Sequence, residues 1–167
     1  HVGVVAYNNA IHIIGGRFNT FEYNTDLHHV YLSDKDTWDI RKALPTARSG
    51  HGLVLYKDRF YAMGGEGGII NKAGQQTVFG QMESYDPLTD SWQSHAPMPT
   101  PRHAVGAVAI GDFIYVAGGG GVYKRLLSSP AWTVIRVYGG SLGAESSCCE
   151  LGDDGCRVLA STGAAGS

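Results

Sequence analysis

Cysteine is absent from the first 147 residues of this 167-residue chain; the three that occur are Cys148, Cys149 and Cys156. No disulfide framework can therefore brace residues 1–147, and the distribution favours a reducing compartment such as the cytoplasm. Long apolar runs are also missing. Runs such as Val2 to Tyr7 are far short of the roughly 18–20 residues that a helix needs to span a bilayer, so no membrane partner is expected. Neither sign of charge dominates: 13 Lys and Arg face 15 Asp and Glu, for a net charge of −2. Without an overall basic field there is nothing to hold a phosphate backbone, and nucleic acid is not an expected partner. The first residue is His1 and not Met, and no leader-like core follows it, so a processed chain or a fragment is expected. What is plentiful is glycine, at 24 residues, in a chain that is 43% hydrophobic. The composition suits a packed core with many tight turns, and an all-β chain is the expectation.

An internal repeat organises residues 1–121. Residues 1–16, 50–65 and 104–119 align without gaps: Gly3, Gly52 and Gly106 coincide, as do Asn9, Asp58 and Asp112, and each segment closes on a Gly pair. Each reads as an apolar strand, a short Asn/Asp turn and a second apolar strand, the pattern of a β-hairpin. A second block, Tyr31 to Trp38 against Tyr85 to Trp92, places Tyr seven residues before Trp. From Trp the register holds through Leu44-Pro-Thr-Ala-Arg48 and Met98-Pro-Thr-Pro-Arg102. The Gly pairs recur after 49 and then 54 residues, and the extra five fall between Gly pair and Tyr, in a loop.

Hairpin, Gly pair, Tyr-x6-Trp block and Pro-x-x-Arg link, recurring together at a period near 50, resemble the kelch repeat, one four-stranded blade of a β-propeller. The resemblance implies inner strands before Gly16, Gly65 and Gly119, third strands at Tyr31 and Tyr85, and outer fourth strands at Trp38 and Trp92. Asp36 and Asp90 read as turn formers beside Trp. The implied fold is an incomplete kelch-type propeller of four-stranded antiparallel blades with an irregular C-terminal tail. Its expected parts are kelch repeats over 1–121 (blades near 1–46 and 47–100, a half blade at 101–121) and a divergent, disordered tail over 122–167. The pattern breaks after Gly121: the repeat would put a Trp at 141–146, yet Trp132 stands 13 residues past Gly119, and 16 of the last 29 residues are Gly, Ser or Ala. A truncated or frame-shifted product of a larger propeller is the leading expectation, with self-association through open blade edges a further one.

Kelch propellers commonly bind proteins through loops at one rim, and the resemblance implies a protein-interaction module with a protein partner. Candidate contact residues lie after the Gly pairs, at Arg17, Asn19, Glu66, Lys72 and Gln75, and around the blade links, at Arg48, His51, Arg102 and His103. The alternative is a remnant of a kelch-type carbohydrate enzyme, mutarotase-like or galactose-oxidase-like. The oxidase cofactor joins Tyr to Cys, and the repeats contain no Cys, so no cofactor or metal is expected and binding is favoured over catalysis. Gly118 to Gly121 lacks the Gly-Lys-Ser/Thr of a phosphate loop. The three cysteines have no His beyond His103 to complete a zinc set. His12 is expected on a strand, and His28 and His29 on opposite faces.

Overall fold

The computed structural model describes residues 1–19, 23–68, 77–118, 121–128, 132–137, 148–152 and 155–159. Every regular element among them is a strand. In chain order these are β1 (Gly3–Tyr7), β2 (Ala10–Ile14), β3 (Arg17–Phe18), β4 (Tyr23–Asn24), β5 (His28–Leu32), β6 (Thr37–Ile40), β7 (Gly52–Tyr56), β8 (Arg59–Met63), β9 (Glu66–Gly67), β10 (Thr77–Val78), β11 (Met82–Asp86), β12 (Ser91–His95), β13 (Gly106–Ile110), β14 (Phe113–Gly118), β15 (Gly121–Leu126), β16 (Trp132–Val137), β17 (Cys148–Gly152) and β18 (Gly155–Leu159). Three four-stranded antiparallel sheets succeed one another: β1-β2-β5-β6, then β7-β8-β11-β12, then β13-β14-β15-β16. These are three propeller blades. Pairs β3–β4, β9–β10 and β17–β18 form small ribbons beside them.

Turn chemistry sets the register. Asn8 and Asn9 (φ 46° and 58°) and Lys57 and Asp58 (φ 45° and 59°) lie in the left-handed region. Two successive residues there make the type I′ turn whose twist matches a hairpin, and so Tyr7 pairs with Ala10 and Tyr56 with Arg59. At the β5–β6 and β11–β12 turns, Asp36 (φ 49°) and Asp90 (φ 48°) take the left-handed position. The hydroxyls of Tyr31 and Tyr85 donate to their carboxylates, each at 2.7 Å. This explains why Tyr, Asp and Trp recur at fixed spacing.

The first two Gly pairs are joints between blades. Gly15 and Gly16 have φ of 65° and 106°, and Gly64 and Gly65 have 69° and 104°, conformations that a side chain resists. Gly16 N–H donates to the Arg48 carbonyl at 2.9 Å, and Gly65 N–H to the Arg102 carbonyl at 2.8 Å. The end of one blade's second strand is thereby tied to the link that enters the next blade.

The core lies in the seams. Between the first and second sheets, Ile14 packs with Leu44, Phe60, Ala62 and Tyr85, with Val5, Tyr7, Leu53, Leu55 and Trp92 around them. Between the second and third, Tyr61, Met63, Met82 and Met98 meet Ile114 and Val116, flanked by Val54, Val105, Ala107 and Trp132. Strands β1, β7 and β13 lie side by side at the inner edge. There the entry glycines let backbones approach: a Cβ on Gly3 would stand 2.9 Å from Leu53 Cβ, and one on Gly52 would stand 3.0 Å from Ala107 Cβ.

The third sheet differs from expectation. The sequence predicts a half blade ending at residue 121, but β15 and β16 complete four strands, so the expected break at 121 falls inside a blade. The reason is a shortened connection. In the first two blades a long loop separates the Gly pair from the third strand, whereas Gly118 pairs directly with Gly121. Skipping that loop brings the fourth strand forward to Trp132. Its indole N–H donates to the Ala96 carbonyl at 3.2 Å, as that of Trp92 donates to the Lys42 carbonyl at 2.9 Å. Ala96 and Lys42 each stand four residues past the repeat Trp; the interaction is conserved although the spacing is lost. Beyond it, β17 and β18 pair as a hairpin.

Candidate functional site

Strand direction sends the Gly-pair loops and the blade links to one rim and the hairpin turns to the other, because Ile14 pairs with His28 at the rim where β1 begins. The rim of loops and links gathers polar residues from all three blades. Arg17, at the start of β3, donates to His1 Nε2 at 3.1 Å and to Glu66 Oε1 at 3.2 Å. The other Glu66 oxygen lies 3.7 Å from His103 Nε2. A ladder His1–Arg17–Glu66–His103 thus crosses the rim from first blade to third. Glu66 is fixed by the exchange of backbone hydrogen bonds with Ser49, at 2.8 and 2.9 Å.

Beside the ladder the β3–β4 ribbon carries Phe18 opposite Tyr23, both well exposed at 56% and 61%. Asn19 follows, exposed and left-handed (φ 51°). Further out, an open groove of about 420 Å³ is lined by Val78, Phe79, Pro97, Pro99 and Pro101 among others.

Three expected contact residues lie beneath the rim instead of on it. Arg48 is fully buried: its guanidinium pairs with Glu83 at 2.8 Å and donates to the Ala62 carbonyl at 3.3 Å, while Thr46 donates to Glu83 at 3.1 Å. Burial lowers the Arg48 pKa and the Glu83 carboxylate opposes that shift. Arg102, also buried, directs its guanidinium to the Gly118 carbonyl. The His51 side chain fills the space left by Gly3, Gly15 and Gly65: an added Cβ would stand 2.6 Å from its ring at Gly3, 2.9 Å from its ring at Gly15 and 3.1 Å from its Cβ at Gly65. These side chains brace the rim from below because a link that crosses between blades has its inward residues covered on both sides. Lys72 and Gln75 lie outside the described residues. The structure therefore brings Arg17, Glu66 and His103 together, adds His1 and Tyr23, which sequence reasoning missed, and assigns Arg48, His51 and Arg102 to the seams. The signal for Tyr23 was only an aromatic in a variable loop.

The first seam also holds a buried histidine pair, His12 Nδ1 against His28 Nε2 at 2.8 Å. His12, as expected, is on a strand, and His28 and His29 point to opposite faces of β5. Burial pushes both His12 and His28 down to about 4, and His51 to about 3. A doubly protonated pair would set N–H against N–H. Since the unfolded chain binds these protons near pH 6.5 and the folded chain does not, stability is full above that pH and falls as the pH drops towards 4. The thermal midpoint is expected to decline from about pH 6.5 to 4.5, less steeply in His12→Phe; a flat profile over that window would contradict the assignment.

Comparison with known proteins agrees with this architecture. Residues 47–99 match the kelch motif. Beta-scruin of Limulus polyphemus is 30% identical over 124 residues, covering 71% of this chain and 13% of that protein. The kelch-like protein terF of Aspergillus terreus is 29% identical over 121 residues, covering 72% of this chain and 26% of its own length. The solved structure of YjhT, a kelch-type propeller, superposes with a TM-score of 0.64 at 16% identity, over 88% of this chain and 53% of that one. The chain thus spans a small part of its curated relatives and about half of the solved propeller. Repeat spacing, blade topology and these matches together establish that the chain belongs to the kelch-repeat family of β-propeller proteins.

Proposed function

We propose that this chain is a protein-interaction module, furnishing part of a larger propeller, and that it binds a protein partner through the rim of Gly-pair loops and blade links. The observation that carries this reading is the rim itself. A charged ladder continuous across three blades lies beside the exposed pair Phe18 and Tyr23. Aromatic anchors flanked by fixed charges are what protein interfaces concentrate at their energetic centres. The opposite rim is built from two-residue hairpin turns and the short Tyr–Asp turns, whose side chains are used locally. Glu66 and Arg17 neutralise each other in the free chain, so a partner that inserts a charge between them meets a preformed donor and acceptor.

A photo-crosslinking residue in place of Tyr23 or His103 should yield a discrete protein adduct in host lysate, whereas the same residue in place of Lys35 or Leu88, on the other rim, should not. With the captured protein purified, Tyr23→Ala and Glu66→Ala are expected to weaken affinity by at least about tenfold. Adducts confined to the Lys35 and Leu88 positions, or affinity unmoved by both substitutions, would overturn the proposal.

A further inference from the structure

At the hairpin-turn rim the two internal seams are filled differently. In the first, the Phe60 ring packs edge-on against Tyr7 and His12, with centroids 5.5 and 4.6 Å away. In the repeat register Tyr7 and His12 correspond to Tyr56 and Tyr61, and Phe60 corresponds to Ile114. Leu55, beside the same cluster, corresponds to Ala109. The third blade thus brings smaller side chains to the second seam, where the Tyr56 and Tyr61 rings stand 6.5 Å apart. A cleft of about 460 Å³ opens there, lined by Tyr56, Lys57, Arg59 and Tyr61 of the second blade and by Asp112 and Ser128 of the third, among others.

The two cations of this cleft are not demanded by the fold. Lys57 stands where the other blades have Asn8 and Gly111, and Arg59 where they have Ala10 and Phe113. All three hairpins nevertheless close in the same two-residue register. Arg59 donates to Asp86 at 2.7 Å, and Lys57 to Asp112 Oδ1 at 3.0 Å, the oxygen that also accepts the Tyr56 hydroxyl at 2.6 Å. Each cation commits one donor to these bonds, so most of the guanidinium and ammonium N–H groups remain for a ligand. The Ser128 hydroxyl adds another, and the carboxylate oxygen left at the cleft is Asp112 Oδ2. Donors therefore outnumber acceptors beside a pair of aromatic rings.

We propose that this cleft is a small-molecule site for an aromatic carboxylate, whose ring packs on Tyr56 and Tyr61 as Phe60 packs on Tyr7 and His12, and whose carboxylate accepts from Arg59 and Lys57. Edge-to-face contact with the tyrosines supplies the apolar half of the recognition. The guanidinium fork matches a carboxylate in shape, and charge-assisted bonds of this kind are the strong ones. A wholly apolar ligand would take Arg59 and Lys57 out of water without returning a hydrogen bond. A polyanion is disfavoured because Asp86 and Asp112 already offset both cations. The volume, near the lower end for small-molecule clefts, suits one ring with a short acid chain. Both walls belong to a seam inside this chain, so the site does not depend on what adjoins the first or third blade. It lies at the rim opposite the Gly-pair loops and stands apart from what those loops bind.

Titration of the full chain with 3-phenylpropanoate, followed by calorimetry or ligand-observed NMR, is expected to saturate with a Kd of about 1 mM or below. Propanoate, which lacks the ring, and 3-phenylpropan-1-ol, which lacks the charge, should each bind at least about tenfold more weakly. Arg59→Ala, which installs the first blade's residue, should weaken 3-phenylpropanoate at least about tenfold, and Lys57→Asn by about threefold. Ile114→Phe restores the first seam's ring and should block the site; if that variant does not fold, Arg59→Ala carries the test, because Ala10 shows the position tolerates it. Tyr23→Ala, at the other rim, should leave the affinity as it was. No saturation up to about 10 mM, equal affinity for propanoate, or binding indifferent to Arg59→Ala would overturn the proposal.

Discussion

Replacing Arg48 by Met is expected to lower the unfolding free energy by about 3–5 kcal/mol, because it leaves a carboxylate buried without its cation. Glu83 is 3% exposed and Arg48 fully buried, 2.8 Å apart. Among the described residues, the Thr46 hydroxyl is the hydrogen-bond donor that would remain to the abandoned charge. The loss should show as a shift of the urea midpoint. Arg48→Met with Glu83→Leu removes both charges and should recover most of the loss, as buried pairs replaced by apolar residues of similar volume often do. A double variant as unstable as the sum of its parts would show that Arg48 and Glu83 act independently. Because the pair joins the first blade's exit link to the third strand of the second blade, its loss should be felt in the whole seam.

How much of this was legible in the sequence depends on whether the information is local. Type I′ turns at Asn8-Asn9 and Lys57-Asp58, and left-handed Asp36 and Asp90, follow from short-range chemistry, and the repeat register displayed them. Tyr85 and Trp92 were expected on a third and a fourth strand for the same reason. Trp132 was not, because register alone cannot distinguish a lost blade from a deleted loop. Only the pairing of Gly118 with Gly121 reveals that the strand order survives the shorter spacing. The site residues divide in the same way. Arg17, Glu66 and His103 sit at positions where variability and polarity both suggest a rim. Arg48, His51 and Arg102 look equally polar in the sequence, yet the link they occupy is covered by two blades, and coverage is a tertiary property. The partnership of Arg48 with Glu83, 35 residues further on, left no trace in spacing.

Gly64→Ala and Gly106→Ala should have effects of opposite sign, although both glycines belong to the same repeat signature. At Gly64 (φ +69°) a Cβ would stand 2.5 Å from the Arg102 carbonyl oxygen and 2.9 Å from Met98 Cε. That carbonyl already accepts the Gly65 N–H at 2.8 Å, so it cannot retreat without breaking the joint between second and third blades. Left-handed backbone alone costs Ala about 1–2 kcal/mol, and with the displaced link a total of about 3 kcal/mol or more is expected. Gly106 has open space where its Cβ would be and a backbone outside the left-handed region. There Ala should stabilise the single chain slightly, by about 0.4–1 kcal/mol, through a less flexible unfolded state. Equal destabilisation at both positions would mean that the space beside Gly106 is filled in the folded chain, contrary to the geometry of the described residues.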